Sequence, residues 1–331
     1  MRKIIFTAFF IFCLNAFFTI NAFAKTTLTY SNFFPPTHVM SKLAESWIAE
    51  VEKRTNGEVT FQYFPGGTLA KGPQNYDAVV SGIADMGMTV LAYTRGRFPV
   101  STAIDLPLGY KSGIQATWIA NMVLEKFQPK EFNDTKIMYL HAHGPGLLHT
   151  TNKRVATLNQ LKGLKIRTTG ASGKVIKALG ASPVGKSMGE CYQLLQRDVV
   201  DGSLHPVEAN FGWKLGEVIK YITQNYSTAY TTTFAVYMNK RKWNKLSSKN
   251  QLIIKGINRE WPIKHGQAWD EADKQGVDFV KQRGGEFVQL TDKESARWAR
   301  LMRPVIGAYI KDASAKGING KAVVNFIKSN L

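Results

Sequence analysis

The chain has 331 residues, 44% of them hydrophobic, so it can bury a large core and is expected to form two domains rather than one. Its 43 Lys and Arg residues outnumber its 24 Asp and Glu residues, which gives a formal net charge of +19. This composition excludes an intrinsically disordered chain, but the charge leaves three partner classes open: nucleic acid, an acidic membrane surface and an anionic small molecule.

Residues 1–24 have the order of a cleavable secretory signal. Arg2 and Lys3 precede the apolar run 4–14, and residues 21–24, NAFA, end it with an Ala-x-Ala site. An uncleaved membrane anchor is the alternative, because the stretch 4–20 is close to the lower length limit for a span. We expect cleavage, which removes Arg2 and Lys3 and leaves a mature chain with 41 basic residues, 24 acidic residues and a net charge of +17.

The mature chain is expected to be exported and soluble, because no later segment approaches about 18 consecutive apolar residues. Cys191 is the single cysteine left after cleavage, so no internal disulfide is possible. We interpret Cys191 as a small buried apolar side chain.

Short apolar runs alternate with stretches of helical period along the chain. The pattern predicts strands over 26–30, 58–64 and 84–88, with helices over 38–55 and 73–80 between them. The same alternation returns over 165–168, 172–179, 181–184, 188–196, 199–203 and 206–215. Strand and helix alternation indicates an α/β fold with largely parallel sheets.

Two such blocks, separated by the Gly- and Pro-containing stretch 143–146, predict two lobes. The first comprises residues 25–146 and about 233–272, and the second comprises residues 147–232 and about 273–331. Residues 228–238 are expected to form a strand that runs between the lobes. Residues 248–283 are mostly helical in pattern, and Pro262 is expected to kink or break that helix. A chain that crosses between lobes has a cleft, where small ligands bind.

Residues 180–187, GASPVGKS, match the phosphate-loop pattern GxxxxGK[ST]. The pattern binds phosphate only where a strand leads in and a helix follows, whereas here a helical segment precedes Gly180 and a strand falls inside the motif. We therefore interpret Gly180 as the end of a helix.

His141, His143 and His149 are spaced so that a zinc site can be imagined, but no further ligand motif completes one, and we expect no metal and no cofactor. One or two of them are expected to line a polar pocket. GxSxG is absent, and nothing brings two carboxylates together, so there is no positive case for catalysis.

Residues 161–170, LKGLKIRTTG, predict a strand that ends near Arg167, a Gly turn and then a helix. A guanidinium group beside free backbone N–H groups suits a carboxylate. The alternative is an arginine paired with an acidic residue on the surface.

Several segments resemble the TRAP transporter solute-binding proteins of the DctP type. They are LKGLKIR at 161–167, LGASPV at 179–184, MGECYQLLQ at 188–196, VVDG at 199–202 ending in Pro206, GIADMG at 82–87, and FAVYMN at 234–239 followed by Trp243 and Leu246. The matches span nearly the whole mature chain in consistent order. The resemblance implies an α/β, two-lobe periplasmic-binding-protein fold with crossing strands and a long lobe-spanning helix. It also implies a periplasmic protein that closes on a small organic acid and delivers it to a permease with small and large membrane subunits.

The resemblance places the family's carboxylate-clamping arginine at Arg167. The position of a second arginine, found in many members, is Leu148; the usual Asn before the Pro is His205, and a usual Phe is Met188. One missing arginine favours a monocarboxylate over a sialic acid or a dicarboxylate, with His205 or His143 donating a hydrogen bond to a second polar group. An aromatic or branched acid is expected against a wall made by Phe33, Phe34, Tyr93, Met188, Trp213 and Phe234.

Two other classes of function stay open on the residues alone. An exported enzyme acting on a small carboxylic acid is the alternative to a transport protein. A nucleic-acid partner is not expected, since Lys and Arg are scattered rather than clustered on one element. We expect a monomer.

Overall fold

The computed structural model describes residues 25–331, so the predicted signal peptide over residues 1–24 lies outside the described residues. The strands in this range are β1 (Thr26–Asn32), β2 (Val59–Phe64), β3 (Met86–Val90), β4 (Thr135–Ala142), β5 (Gly146–Thr150), β6 (Lys165–Thr168), β7 (Ser182–Gly185), β8 (Gly202–Pro206), β9 (Tyr221–Thr223), β10 (Thr233–Asn239) and β11 (Glu286–Val288). The helices are α1 (Val39–Arg54), α2 (Gly72–Ser81), α3 (Gly113–Phe127), α4 (Leu158–Leu161), α5 (Ser172–Ala178), α6 (Cys191–Gln196), α7 (Ala209–Gly212), α8 (Lys240–Lys245), α9 (Ser248–Gln282), α10 (Asp292–Ser314) and α11 (Gly320–Lys328).

The strands form two mixed sheets, each the centre of a lobe. The first sheet has the order β2-β1-β3-β10-β4, with β1 parallel to β2 and β3, and β10 antiparallel to its two neighbours. The second has the order β11-β9-β5-β8-β6-β7, with β6 parallel to β7 and β8, and β5 antiparallel to β8 and β9. The α/β, two-lobe fold expected from the resemblance is therefore confirmed.

Both faces of each sheet are covered, so the central strands β3, β5, β8 and β10 are buried along their whole length. The first sheet lies between two apolar clusters, one containing Tyr76, Ile119 and Tyr237 and the other containing Trp47, Val236 and Trp261. The second sheet separates a cluster around Trp298 from one around Cys191. Cys191 is free and buried, as expected from the sequence.

Three segments cross between the lobes. The first joins β4 to β5 through residues 143–145, and the second enters β10 through residues 224–232. These two segments meet at Gly146, whose N–H donates to the Tyr230 carbonyl oxygen at 2.8 Å. A Cβ atom at Gly146 would lie 2.2 Å from the Tyr230 ring, so glycine is required at this crossing.

The third crossing is α9, which continues as one helix of 35 residues through Pro262. The expected break at Pro262 is therefore wrong. The N-terminal two-thirds of α9 contributes Ile254, Trp261 and Trp269 to a core of the first lobe, whereas Val280 lies in a core of the second. Packing along both lobes holds the helix across the proline, which removes a single backbone donor.

The lobe boundaries given from the sequence stay a prediction, and the packing of one segment differs from them. We expected residues 273–331 in the second lobe, but Val323, Val324 and Ile327 of α11 pack into the same core cluster as Ile119 and Val123 of α3. None of the helices within residues 25–331 combines the length and apolar composition needed to cross a membrane.

Candidate functional site

A cavity of about 380 Å³, measured with its opening, lies between the lobes at the crossing segments. Its free interior is only about 30 Å³, so the lobes must separate before an organic acid can enter. The lining residues are Phe33, Phe34, Val90, Tyr93 and Phe234 from the first lobe, His143, Tyr230 and Thr232 from the crossings, and Arg167, Thr169, Met188, Leu204, His205, Pro206, Glu208 and Trp213 from the second lobe. The structure thus brings together eight of the nine residues selected from the sequence, all except Leu148.

Arg167 is the cation of this cavity. It lies on β6 beside Ser203 of β8, and only 2% of its surface is exposed. Its Nε donates to the Lys186 carbonyl oxygen at 2.9 Å. Among the residues that the structure describes, no carboxylate oxygen lies within 4.0 Å of its guanidinium group. A buried cation without a protein counter-charge is costly, so the arrangement suits an anionic ligand.

Tyr93 and Met188 join the two lobes beside Arg167. The Met188 N–H donates to the Tyr93 hydroxyl oxygen at 2.9 Å. Burial raises the pKa of Tyr93, while the positive charge of Arg167 opposes the rise, so the hydroxyl is neutral at physiological pH. Tyr93 can therefore donate its own proton to an anion held by Arg167.

His143 lines the cavity as a neutral imidazole. Burial lowers its pKa to about 4, and its Nδ1 donates to the Gly144 carbonyl oxygen at 2.6 Å. That hydrogen bond leaves Nε2 without a proton in the neutral ring. We expected His143 or His205 to donate to the ligand, but this geometry makes His143 an acceptor.

His205 stacks on His149, with ring centroids 3.7 Å apart. Burial lowers the pKa of His205 well below its usual value, and the neighbouring His149 and Arg167 lower it further. Neither ring nitrogen of His205 has a hydrogen-bond partner within residues 25–331. His205 is therefore a neutral ring whose two nitrogen atoms are both buried.

The six residues expected to form an aromatic wall all line the cavity. Phe33 stands at its centre, with ring centroids 4.3 Å from Phe34, 5.9 Å from Tyr93, 6.0 Å from Trp213 and 6.3 Å from Phe234. Separations of this size are those of interacting aromatic rings. The wall offers a flat apolar surface to a ligand.

Leu148 is outside the cavity lining and was wrongly placed in the site. It is fully buried in the apolar cluster around Trp298, opposite Leu204 in the pairing of β5 with β8. Side chains alternate along a strand, so Leu147 and His149 point to the other face. The leucine at the position where the resemblance implies a second arginine therefore contributes no contact to the cavity.

The other motifs stay outside the cavity. Gly180 follows α5 with φ of 91°, and β7 begins at Ser182, so the phosphate-loop letters lack the preceding strand, as expected. His141 stacks on His265 at 4.1 Å, away from the His149 and His205 pair. Residues 25–331 hold no group of three or more His, Cys, Asp or Glu side chains able to bind a metal ion.

Sequence reasoning missed Glu208, Thr169, Tyr230 and Thr232. Glu208 and Thr169 follow the carboxyl ends of β8 and β6, where ligands bind in open α/β sheets. Tyr230 and Thr232 lie in a crossing segment. The available signal was position in the fold, since no motif distinguishes these residues from other polar ones.

A model of the DctP family, described as bacterial extracellular solute-binding protein family 7, matches residues 30–312. The solved TRAP periplasmic solute-binding protein from Bordetella bronchiseptica, with bound (R)- and (S)-mandelate, is 30% identical with a TM-score of 0.86, and the match covers 92% of this chain and 98% of that one. A TRAP solute-binding protein from a marine metagenome, specific for aromatic acids and solved with 3-hydroxybenzoate, is 28% identical with a TM-score of 0.88 over 92% and 98% of the chains.

The C4-dicarboxylate-binding periplasmic protein DctP of Rhodobacter capsulatus is 28% identical over 301 residues, which is 84% of each chain. The family model and the Bordetella structure each cover most of the chain. The chain therefore belongs to the DctP family of bacterial extracellular solute-binding proteins, and it is a TRAP solute-binding protein.

Proposed function

We propose that the protein captures a small monocarboxylate, aromatic or branched, by closing its lobes around the cavity at Arg167. The observation that carries this proposal is the burial of the Arg167 guanidinium group without an acidic partner among residues 25–331. A ligand carboxylate supplies the missing charge, and the planar fork of arginine can bind both of its oxygens.

A single carboxylate fits the cavity better than two. Arg167 is the one Lys or Arg side chain among the residues that line it, within the part of the chain that the structure describes. The remaining wall is largely aromatic, which suits a flat or branched apolar body. Mandelate and 3-hydroxybenzoate, the ligands in the Bordetella and metagenome relatives, have this form, whereas the Rhodobacter relative is named for C4-dicarboxylates.

The clamp alone does not give transport affinity. One charge-assisted pair contributes about 1.5–3 kcal/mol, whereas micromolar binding corresponds to about 8 kcal/mol. Burial of the ligand body against Phe33 and Trp213 on lobe closure must supply much of the rest.

In this proposal the protein works in the periplasm as a monomer and hands the acid to the small and large membrane subunits of a TRAP permease. It binds neither nucleic acid nor a cofactor and performs no chemistry. An exported enzyme would convert its ligand, so recovery of the added acid unchanged after prolonged incubation and denaturation supports binding without catalysis, and recovery of a product contradicts it.

Arg167→Lys tests the proposal. Lysine keeps the charge but lacks the planar fork, so we expect at least about a tenfold loss of affinity for the best ligand. A thermal-shift screen of organic acids identifies that ligand, because binding to the native state raises the unfolding temperature. Calorimetry then compares the parent with Arg167→Lys and with Arg303→Lys, a matched change at an exposed position. Equal binding by all three proteins would contradict the clamp.

A further inference from the structure

The cavity contains a carboxylate as well as a cation. Glu208 lines it two residues after the end of β8, and 3% of its surface is exposed. Glu208 does not form an ion pair with Arg167, since no Glu208 oxygen lies within 4.0 Å of the Arg167 guanidinium group. A carboxylate buried in a binding cavity needs hydrogen-bond donors, which makes its partners informative about the ligand.

The protein satisfies one oxygen of Glu208. The Met40 N–H donates to Nδ1 of His38 at 3.2 Å, so Nδ1 is the unprotonated nitrogen of that ring. Nε2 of His38 therefore carries the proton and donates to Oε2 of Glu208 at 3.1 Å. Oε2 of Glu208 therefore already has a donor within the protein.

The other oxygen is free. Oε1 of Glu208 receives no hydrogen bond from residues 25–331. The backbone of Glu208 is fixed, because its N–H donates to Oδ1 of Asp273 on α9 at 2.8 Å. The side chain is thus held in place by His38 and the main chain by Asp273, with one acceptor oxygen unused.

Aromatic rings separate this carboxylate from Arg167. Tyr93 lies beside Arg167, and its ring centroid is 5.9 Å from that of Phe33. The centroid of Phe33 is 4.3 Å from that of Phe34, which in turn is 4.4 Å from that of the His38 ring. His38 then binds Glu208. The cavity therefore has a cationic end, an apolar middle and an acceptor end.

We propose that Glu208 selects acids that carry a hydrogen-bond donor, a hydroxyl or an ammonium group, on the part of the molecule remote from the carboxylate bound by Arg167. This inference rests on the proposed function and deepens it. A ligand donor pairs with Oε1 of Glu208, whereas a second ligand carboxylate there is repelled. The preferred class is a hydroxylated or aminated aromatic monocarboxylate, and dicarboxylates are excluded by charge.

Calorimetry with benzoate, its three hydroxy isomers, 4-(aminomethyl)benzoate and isophthalate tests this class. At least one donor-bearing acid is expected to bind the parent protein about ten- to a hundredfold more tightly than benzoate, since a hydrogen bond to a charged acceptor has that value. The ammonium compound distinguishes a cationic donor from a neutral hydroxyl. Isophthalate is expected to bind more weakly than benzoate.

Glu208→Gln isolates the carboxylate, because glutamine keeps an acceptor for His38 and leaves the backbone bond to Asp273 intact. In this variant the affinity for the donor-bearing acid is expected to fall to within about threefold of the affinity for benzoate. The affinity for isophthalate is expected to rise relative to that for benzoate. A purely structural role of Glu208 would lower all affinities together and leave the ratios unchanged. Glu125→Gln, at an exposed position, is the matched control.

The outcomes separate this inference from the proposed function. Unchanged ratios in Glu208→Gln, or no preference for any donor in the parent, overturn the selection by Glu208 while leaving the Arg167 clamp intact. Binding of donor-bearing acids that is insensitive to Arg167→Lys overturns the clamp. Failure of every acid to bind, in the thermal-shift screen as well as in this panel, overturns both.

Discussion

Asp105 is a buried carboxyl group at the point where the second crossing segment enters β10. Its Oδ1 accepts hydrogen bonds from the Thr233 N–H at 2.8 Å and from the Thr233 hydroxyl at 2.7 Å. Burial raises its pKa from 3.8 to about 7, although the Thr233 hydrogen bonds oppose the rise. Between these two values the folded state holds a proton that the unfolded state has released, so this group makes unfolding easier as pH rises.

Asp105→Asn is expected to change this dependence. Asparagine can offer the same acceptor oxygen to Thr233 but does not titrate. The free energy of unfolding of the variant, relative to the parent, should therefore rise by about 3 kcal/mol between about pH 5 and pH 8. Urea unfolding at both pH values measures the difference. A constant difference would show that Asp105 has an ordinary pKa in the folded protein.

The buried histidines change the pH dependence of stability in the opposite direction. Burial lowers the pKa of His149 and of His265 to about 3 and that of His143 to about 4. A histidine with a lowered folded pKa binds fewer protons in the folded state, so stability falls as pH drops from about 6.5 towards these values. Both proteins in the Asp105 comparison share this loss, and it cancels from their difference.

At the residue scale, the sequence predicts those site residues that carry a local pattern. Arg167 lies near the end of a strand that is followed by a Gly turn and a helix, and this pattern indicates an anion site without any knowledge of the other lobe. Glu208 has no such pattern, since its role depends on His38 from the other lobe and on Asp273 from α9. Leu148 was placed in the site by the family resemblance alone, and the structure packs it into the apolar cluster around Trp298 instead.

Among the elements, the five strands and helices predicted between residues 26 and 88 agree with the structure to within two residues, whereas α3 and β4 of the same lobe were not predicted. Their alternation of burial is regular and local. The crossing segments were harder. Residues 228–238 were predicted as one strand, but β10 begins only at Thr233, because Tyr230 makes a single bridge with Gly146 at the lobe junction.

Helix α9 passes close to the site at Gly276. A Cβ atom there would lie 2.2 Å from the Val207 carbonyl oxygen and 2.9 Å from Cα of Glu208. Both neighbours are backbone atoms of the segment after β8, which cannot move without shifting the cavity wall. The absence of a side chain at Gly276 thus lets α9 hold Glu208 in position through Asp273.

Gly276→Ala is therefore expected to destabilise the protein by about 1–3 kcal/mol, the usual cost of overpacking. Gly256→Ala is the matched control in the same helix, because an added Cβ meets no atom within 4 Å there. That control is expected to gain about 0.5–1 kcal/mol from helix propensity. Urea unfolding measures the free energy of unfolding of both variants. A value above that of the parent in both would contradict the close approach at Gly276.

At the scale of the whole molecule, part of the positive net charge lies in a groove between the lobes. A groove between the lobes, with a free interior of about 500 Å³, is lined by Arg95, Lys174 and Lys177, and Lys186 lies in the neighbouring groove beside Tyr93. Lys174 pairs with Asp312 and Lys186 pairs with Glu190, each at 3.1 Å, whereas Arg95 and Lys177 form no ion pair within residues 25–331. Cations without an acidic partner at a cleft attract anions over a distance. Attraction at this groove and the clamp at Arg167 therefore favour the same class of ligand, an anion.

Gly170 of the second lobe and Ala92 of the first lobe both line this groove and contact each other. Gly170 has φ of 55°, and a Cβ atom there would lie 2.4 Å from Cβ of Ala92. Gly163 in the same lobe has φ of 78° but would meet no atom within 4 Å. Alanine at either position carries a similar strain of about 1–2 kcal/mol, but only Gly170→Ala opposes the approach of the lobes.

Gly170→Ala is expected to bind its acid at least about threefold more weakly than the parent and, with acid present, to show a larger radius of gyration in small-angle scattering. Gly163→Ala should lose comparable stability and keep the affinity and radius of the parent, because lobe closure is untouched. Affinity that depends on the contact of the lobes, rather than on the stability of one lobe, is the behaviour required of a protein that holds its ligand by closure. Equal affinities for the two variants would mean that the ligand is held without this contact.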